Sequence, residues 1–187
     1  EIRSQIGYFP EGPYFYPHMT GRDFCLYLGQ LQSIPKNIVK ERMNYWGERL
    51  AIAFAFDRKI RGYSKGMLQR LGFLSTLIHE PRLVILDEPL SGLDPLGRKE
   101  FKDILVSLNN KGTTIFFSSH IVSDVEEICD SLVVIRSGAL FYSGKTEKLL
   151  NSQTSKDYRV AFHAKELSPV LQQIFKPIQQ REGFFLG

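Results

Sequence analysis

Hydrophobic residues recur at helical spacing along the chain up to about residue 80. Thr20–Asp23 resembles a capping box, because a hydroxyl at the N-cap is followed three residues later by a carboxylate. Apolar residues between Phe24 and Leu31 then follow one helical face. A long helical stretch, formed by one helix or by two, is predicted over Ile38–Phe56. Ser64 is placed to cap a further helix with a period of three to four residues. We therefore predict that residues 20–80 are helical.

After this region the chain changes to short apolar runs. Leu83–Leu86 is continuously apolar, which is typical of a strand buried on both faces, and Thr113–Phe117 reads as a second buried strand. Between them, Leu96–Asn109 has the spacing of an amphipathic helix. Strands that alternate with helices predict βαβ units around a parallel sheet. The sequence therefore predicts an α/β fold.

The remaining part of the chain predicts a hairpin and a small tail. After a short helix, a third strand at Leu132–Ile135 turns at Ser137-Gly138 toward a partner at Leu140–Tyr142. From about Asn151 onward the pattern predicts a strand at Tyr158–Phe162 and a helix near Leu167–Phe175. We expect this tail to be an accessory element.

Composition narrows the class of protein. The chain has 187 residues, a formal net charge of +4, and 43% hydrophobic and 24% charged residues. These values exclude disordered, collagen-like and low-complexity architectures, and no apolar run approaches the roughly 18 residues of a membrane span. Two cysteines, Cys25 and Cys129, form no disulfide framework, so a reducing cytosolic setting fits. The sequence pI near 9.0 does not by itself indicate nucleic-acid binding.

Polar side chains follow both predicted core strands. Asp87 and Glu88 come directly after Leu83–Leu86, and ligands in open α/β sheets sit beyond the carboxyl ends of strands. A carboxylate placed there can hold Mg²⁺, and its neighbour can polarise an attacking water. Ser118-Ser119-His120 follows the second strand at the same predicted edge. Taken singly, the acids could merely begin a loop and His120 could be a structural residue.

Two further segments are suggestive in the same way. Tyr63–Met67 opens a helix, where exposed N–H groups and the positive end of the helix dipole suit an anion, although a plain N-cap is an equally simple interpretation. Ser91–Pro95 could be an ordinary turn.

The order and spacing of these segments resemble the ATP-binding cassette (ABC) ATPases, over nearly everything from about residue 5 to residue 150. In that family Tyr63–Met67 would be a variant of the Leu-Ser-Gly-Gly-Gln signature, and Leu83–Glu88 would be Walker B with its catalytic glutamate. Ser91–Asp94 would be the D-loop and His120 the switch histidine. Gly7–Glu11 would enter the Q-loop, with Glu11 where many members carry Gln. Glu11, the run Tyr16–Thr20 and the Tyr-Ser-Lys-Gly-Met signature resemble the drug-exporter or ABC-2 branch of the family.

The resemblance implies roles for individual residues. Glu88 would activate water for attack on the γ-phosphorus, and His120 would hold the γ-phosphate; these two are the implied catalytic residues. The signature departs from the family pattern, but Ser64 and Gly66 remain and Lys65 keeps its own N–H. The implied contacts to ATP are Ser64, Lys65, Gly66, Asp87 and Asp94, and the implied contacts to Mg²⁺ are Asp87 and Glu11.

The phosphate-binding motif Walker A, G-x-x-x-x-G-K-[ST], has one near-match in the chain. Gly138–Thr146 has one intervening residue too many and spans the predicted hairpin, so we interpret it as a coincidence with a solvated Lys145. The chain also begins at Glu1 without Met. We therefore expect Walker A to lie upstream of Glu1, and this chain alone to bind MgATP poorly and to be inactive.

The resemblance also implies an organisation and partners. The fold would be a partial P-loop NTPase-type parallel sheet, without its N-terminal strands, and with an inserted helical subdomain. Residues 1–17 would be the Q-loop edge of the ATPase core, 18–80 the helical subdomain ending in the signature helix, 81–150 the rest of the core, and 151–187 a C-terminal accessory extension. The complete subunit would form a head-to-tail dimer with a second ABC ATPase subunit. It would bind transmembrane permease subunits on the cytoplasmic face of a membrane and couple ATP hydrolysis to substrate export.

Two other functions remain open from sequence. One is a soluble ABC-type ATPase that acts on nucleic acid or ribosomes. The interval between Glu11 and Ser64 is too short for the long coiled coil of chromosome-maintenance proteins and has no sustained heptads, and we expect no nucleic-acid partner. The other is a catalytically silent interaction module, against which the intact Glu88 and His120 speak.

Overall fold

The computed structural model describes residues 2–153 and three short strands at 161–163, 179–181 and 184–186. The chain divides into two compact units, Glu1–Ile128 and Cys129–Gly187. The helix predicted near Leu167–Phe175 lies outside the described residues, as does Tyr158. The division into four segments stays a prediction.

The first unit combines a parallel sheet with five α-helices in its described part. In chain order its elements are β1 (Ile6–Phe9), α1 (Gly21–Leu31), α2 (Lys36–Arg49), α3 (Lys65–Leu77), β2 (Leu83–Leu86), α4 (Pro95–Asn110), β3 (Thr114–Phe117) and α5 (Val122–Ile128). No helix in the described ranges is both long enough and apolar enough to cross a membrane.

The three strands of this unit form a parallel sheet in the order β1-β2-β3. Phe9 is level with Leu86, and Leu86 is level with Phe117, so the strands end in line. The predicted α/β fold with a parallel sheet is confirmed. The residues that directly follow the three strands therefore meet at one edge of the sheet.

Side-chain caps begin two of the helices of this unit, α1 and α3. The hydroxyl of Thr20 accepts a hydrogen bond from the Asp23 N–H, and that of Ser64 accepts one from Met67, as the sequence predicted. Helix α3 is buried along much of its length and approaches β1 closely. A Cβ added to Gly72 would lie 2.6 Å from Cε2 of Phe9, so glycine allows this approach. The sheet and α3 thus pack as one core.

The predicted apolar face of α1 is only partly the buried one. Phe24 is buried, but Leu31 is 63% exposed. The buried stripe instead runs through Cys25 and Gly29, because α2 lies very close: a Cβ on Gly29 would be 2.2 Å from Cγ2 of Val39. The small residues of α1 therefore form its contact with α2. The large apolar side chain of Leu31 lies outside this contact.

Strand β3 also differs from the prediction of a second fully buried strand. Phe116 is 61% exposed, whereas Ile115 and Phe117 are partly buried. The neighbouring residues in register with Phe116 are Ile85 on β2 and Tyr8 on β1, and Tyr8 is also 61% exposed while Ile85 is only partly buried. This row of side chains is therefore at least partly exposed on all three strands.

The second unit begins with the predicted hairpin. Strands β4 (Ser131–Arg136) and β5 (Ala139–Lys145) pair antiparallel, and Ser137 and Gly138 join them with φ values of 50° and 77°. Two adjacent residues of positive φ are typical of a two-residue hairpin turn. Helix α6 (Thr146–Gln153) follows, and then β6 (Ala161–His163), β7 (Gln179–Arg181) and β8 (Phe184–Leu186) form an antiparallel sheet in the order β6-β8-β7.

The hairpin also settles the local structure of the near-match to Walker A. Lys145 is the exposed last residue of β5, and α6 begins at the next residue with no phosphate-binding loop between the strand and the helix. The interpretation of this segment as a coincidence fits its structure.

Candidate active site

The carboxyl ends of the three parallel strands carry the predicted acidic and histidine side chains. Two backbone hydrogen bonds extend the sheet by one residue beyond its strands. The Asp87 N–H donates to the Phe9 carbonyl at 2.8 Å, and the Ser118 N–H donates to the Leu86 carbonyl at 2.9 Å. These bonds fix the backbone of Asp87 and Ser118 side by side, so their side chains can interact.

Ser118 connects the two acidic residues. Its hydroxyl donates to Oδ1 of Asp87 at 2.6 Å and accepts a hydrogen bond from the Glu88 N–H at 3.0 Å. A hydroxyl bonded to an ionised carboxylate makes a short, charge-assisted bond. Asp87 is thereby held against the end of β3.

Glu88 adopts a backbone conformation that is rare for a residue with a side chain. Its φ is 46°, and its carbonyl accepts a hydrogen bond from the Ser91 N–H at 3.0 Å. Its carboxylate oxygen Oε2 lies 2.9 Å from Nδ1 of His120. The His120 side chain is 73% exposed and that of Glu88 is 21% exposed, so a ligand can reach both from solvent.

A buried glutamine, which the sequence analysis did not single out, supports the turn after Glu88. Gln69 on α3 is only 4% exposed, and its Nε2 donates to the Pro89 carbonyl at 2.9 Å. A buried amide needs such a partner, because an unpaired polar group inside a protein is unfavourable. The sequence offered one signal for this contact: Gln69 is a polar residue among the apolar positions of α3.

The turn at the start of α3 is open. Ser64 and Lys65 are exposed, and a Cβ added to Gly66 would meet no atom within 4 Å. Ser64 Oγ accepts the Met67 N–H at 3.3 Å, so the N-cap interpretation holds. The side chain of Lys65 lies along Gly92, whose φ is 74°; a Cβ there would be 2.7 Å from Cε of Lys65.

Tyr63, directly before this turn, anchors it to the helical region. Its ring is buried, and its hydroxyl donates to the Ala55 carbonyl at 2.5 Å. Burial raises the pKa of Tyr63 to about 12, with the thiol of Cys25 adding to the increase. The phenol therefore stays protonated and keeps this bond at neutral pH.

Asp94 begins α4 as its N-cap. Its Oδ1 accepts the Gly97 N–H at 3.3 Å. The space beside Gly97 is also occupied by Nη2 of Arg70, which pairs with Glu100 at 3.2 Å. In this structure the carboxylate of Asp94 therefore has a local structural role.

Apart from Asp94 and Glu11, the predicted residues fall into two groups. Asp87, Glu88 and His120 form one cluster with Ser118, and residues 64–66 form another with Gly92. Glu11 follows β1 at the same sheet edge and is exposed, without a hydrogen bond or ion pair to a described residue. No group of three or more histidine, cysteine or acidic residues within the described ranges is arranged to hold a metal. Mg²⁺ usually keeps several waters and needs only one or two carboxylates, so Asp87 still fits it.

Comparison with known proteins identifies consistent relatives. The ABC transporter family model matches residues 1–91. An ABC transporter ATP-binding protein of Nostoc sp. is 44% identical over 188 residues, covering 100% of this chain and 56% of that protein. The ABC transporter ATP-binding protein NatA of Bacillus subtilis is 33% identical, covering 88% of this chain and 68% of that protein. A solved structure titled as the ATP binding subunit of an ABC transporter superposes with a TM-score of 0.74 at 26% identity, covering 80% of this chain and 62% of that one.

These relatives are longer than the chain. It spans 56%, 44% and 53% of the length of three curated ABC transporter ATP-binding proteins, from Nostoc, Synechocystis and Bacillus subtilis.

Proposed function

The chain belongs to the ABC transporter ATP-binding proteins, and from this premise we propose that it is part of a subunit that hydrolyses ATP to drive substrate export across a membrane. The observation that carries this proposal is the cluster of side chains at the sheet edge. The Asp87 carboxylate is hydrogen-bonded to Ser118, and the Glu88 carboxylate lies within hydrogen-bond distance of the His120 imidazole. Hydrolysis of a phosphoanhydride needs a proton acceptor for water and groups that position charge.

Glu88 is the group suited to accept the proton of the attacking water. Its carboxylate lies at the accessible edge, 2.9 Å from Nδ1 of His120, so the Nδ1–H of the imidazole can hold it in place. For the ring to donate a hydrogen bond to a phosphate at the same time, Nε2 would have to carry a second proton. In this scheme Glu88 accepts the proton and His120 positions the Glu88 carboxylate. Positioning and charge neutralisation are the effects that dominate phosphoryl transfer.

Asp87 is the residue suited to Mg²⁺, together with Glu11 after β1. A carboxylate offers about four lone-pair sites, so its bond to Ser118 leaves others for a metal-bound water. When bound, Mg²⁺ would neutralise charge on the ATP phosphates. Asp87 would orient that ion without taking the proton from water.

The open turn at residues 64–66 supports the proposed head-to-tail dimer. The exposed hydroxyl of Ser64, the ammonium of Lys65 and the uncrowded backbone of Gly66 form a surface that a second subunit's ATP can approach. Asp94, which is engaged with Gly97 here, would contact that nucleotide only if its cap bond rearranged.

A cavity beside β1 supports the proposed contact with a membrane permease. Its volume is about 320 Å³, and Pro13, Phe15 and Phe24 are among its mainly apolar lining. Tyr14, also in the lining, is 81% exposed. The complete subunit would dock there, peripherally, on the cytoplasmic face of the membrane.

Glu88→Gln in the complete subunit tests the function. The amide keeps the shape of the side chain but cannot accept a proton, so we expect ATP turnover to fall at least about tenfold, with ATP binding retained. The complete subunit is needed, because the near-match to Walker A in this chain lies in the hairpin.

Glu126→Gln is the matched control, since Glu126 is an exposed glutamate on α5. Turnover should be measured by phosphate release, and binding by fluorescent ATP titration. If Glu88→Gln retains more than about a tenth of the wild-type rate, Glu88 is not the base.

A further inference from the structure

Two adjacent serines after β3 have different partners. The hydroxyl of Ser118 bridges Asp87 and the Glu88 N–H, at 2.6 and 3.0 Å. The hydroxyl of Ser119 instead accepts a hydrogen bond from the Ile121 N–H at 3.1 Å and therefore shapes the start of the loop before α5. Of the two serines, only Ser118 is hydrogen-bonded to Asp87 and Glu88.

The bridge uses the hydroxyl of Ser118 in both directions. A serine has one O–H to donate, and the carboxylate of Asp87 takes it, which leaves the oxygen lone pairs to accept the Glu88 N–H. One hydroxyl thus sets the orientation of one carboxylate and the backbone of the other acid. No backbone group of β3 could do both.

The acceptor role matters because of the conformation of Glu88. A non-glycine residue at φ 46° persists only where its surroundings hold it there. The structure provides two restraints, the Ser118 hydroxyl on the N–H and the Ser91 N–H on the carbonyl. Without the first, the turn that directs the Glu88 carboxylate toward His120 loses one of its two fixed ends.

We propose that Ser118 is a positioning residue of the ATPase site, which orients the Asp87 carboxylate for the metal and holds the Glu88 turn for proton transfer. This inference rests on the proposed function, because it assigns roles within the same site. Ser118 itself takes no proton from water and forms no bond to phosphate in this scheme.

The test compares Ser118→Ala, Ser118→Thr and Ser119→Ala in the complete subunit. Ser118→Ala should lower kcat about tenfold, the range seen when a group that orients a metal ligand is removed. Ser118→Thr keeps the hydroxyl and should recover at least half of the wild-type kcat. Ser119→Ala should stay within about twofold of wild type, because Ser119 does not contact either acid.

A binding measurement separates positioning from damage to the fold. In the Glu88→Gln background, where ATP is not consumed, Mn²⁺ should be titrated into the ATP-bound protein and followed by electron paramagnetic resonance. Adding Ser118→Ala should weaken Mn²⁺ binding about tenfold, while ATP binding in EDTA stays unchanged. A general loss of structure would weaken both.

The outcomes also distinguish this inference from the proposed function. If wild type hydrolyses ATP and Glu88→Gln does not, but Ser118→Ala equals Ser119→Ala in kcat and in Mn²⁺ affinity, only the role of Ser118 is overturned. If Ser118→Thr is as slow as Ser118→Ala, the hydroxyl is not the active feature and the inference is again overturned. A wild-type subunit that neither binds nor hydrolyses ATP overturns both proposals.

Discussion

The left-handed backbone of Glu88 should make glycine more favourable than alanine at this position. Glu88→Ala and Glu88→Gly both remove the carboxylate and its 2.9 Å contact with His120. The two variants therefore differ only in the Cβ atom and in backbone freedom. Their difference in the free energy of unfolding reports the strain stored at φ 46°.

The magnitude follows from two opposing terms. A residue with a Cβ in the left-handed region is disfavoured by roughly 1–2 kcal/mol, a penalty that glycine does not have. Glycine loses more backbone entropy on folding, which opposes the gain by roughly 0.5–1 kcal/mol. Glu88→Gly should therefore be more stable than Glu88→Ala by about 0.75 kcal/mol, the centre of a range of about 0–1.5 kcal/mol.

Asp103 supplies a matched control, at which the stability difference between the alanine and glycine variants should have the opposite sign. It is an exposed acid within α4, where the backbone is helical and a Cβ is favourable. Asp103→Gly should therefore be less stable than Asp103→Ala by about 1 kcal/mol. The order of alanine and glycine should reverse between positions 88 and 103.

Urea unfolding followed by circular dichroism measures all four variants. Equal slopes with denaturant and shifted midpoints would show that the variants differ in stability and not in the compactness of the denatured or native state. If glycine is less stable than alanine at position 88 by as much as at position 103, the turn holds no strain. Ser118 would then have no strained turn to hold.

Two further predictions concern the helical region. Tyr63→Phe removes one donor to the Ala55 carbonyl, which keeps the hydrogen bond from the Arg58 N–H, so the free energy of unfolding should fall by about 0.5–1.5 kcal/mol. Tyr14→Phe at an exposed position should leave it unchanged, and equal effects of the two variants in thermal unfolding would refute this. Burial raises the pKa of Cys25 from 9.0 to about 12 and that of Tyr63 from 10.0 to about 12. The folded state therefore keeps protons that the unfolded state loses, so the free energy of unfolding should be at its full value below pH 9 and fall as pH rises from about 9 to 12. Cys25→Ala should make this fall with pH less steep, and an unchanged dependence on pH would contradict the role of Cys25.

Local signals in the sequence were sufficient for the caps and for the location of the acids. Thr20 and Ser64 act as N-caps because a short side-chain oxygen can reach the N–H three residues on, whatever the rest of the fold does. The placement of Asp87 and His120 at one edge followed from the rule that parallel strands end together.

Contacts between distant segments were not predictable in the same way. A helical period indicates that α1 has an apolar face, but the close approach of α2 at Gly29 decides which stripe is buried. Likewise, an apolar run predicts a strand at Thr113–Phe117, but it does not predict that this strand forms an edge among the described strands. The support of Pro89 by Gln69 also joins segments whose meeting no local pattern encodes.

The conformation of Glu88 explains how two neighbouring carboxylates can have separate partners. In a continued strand, successive side chains point to opposite faces, and a second acid would be carried away from the ligand side of the edge. The left-handed turn interrupts that alternation directly after Asp87, whose carboxylate bonds to Ser118. The Glu88 carboxylate is thereby directed to His120. A single unfavourable φ angle thus gives the acid that we propose for the metal and the acid that we propose for proton transfer separate partners within two residues.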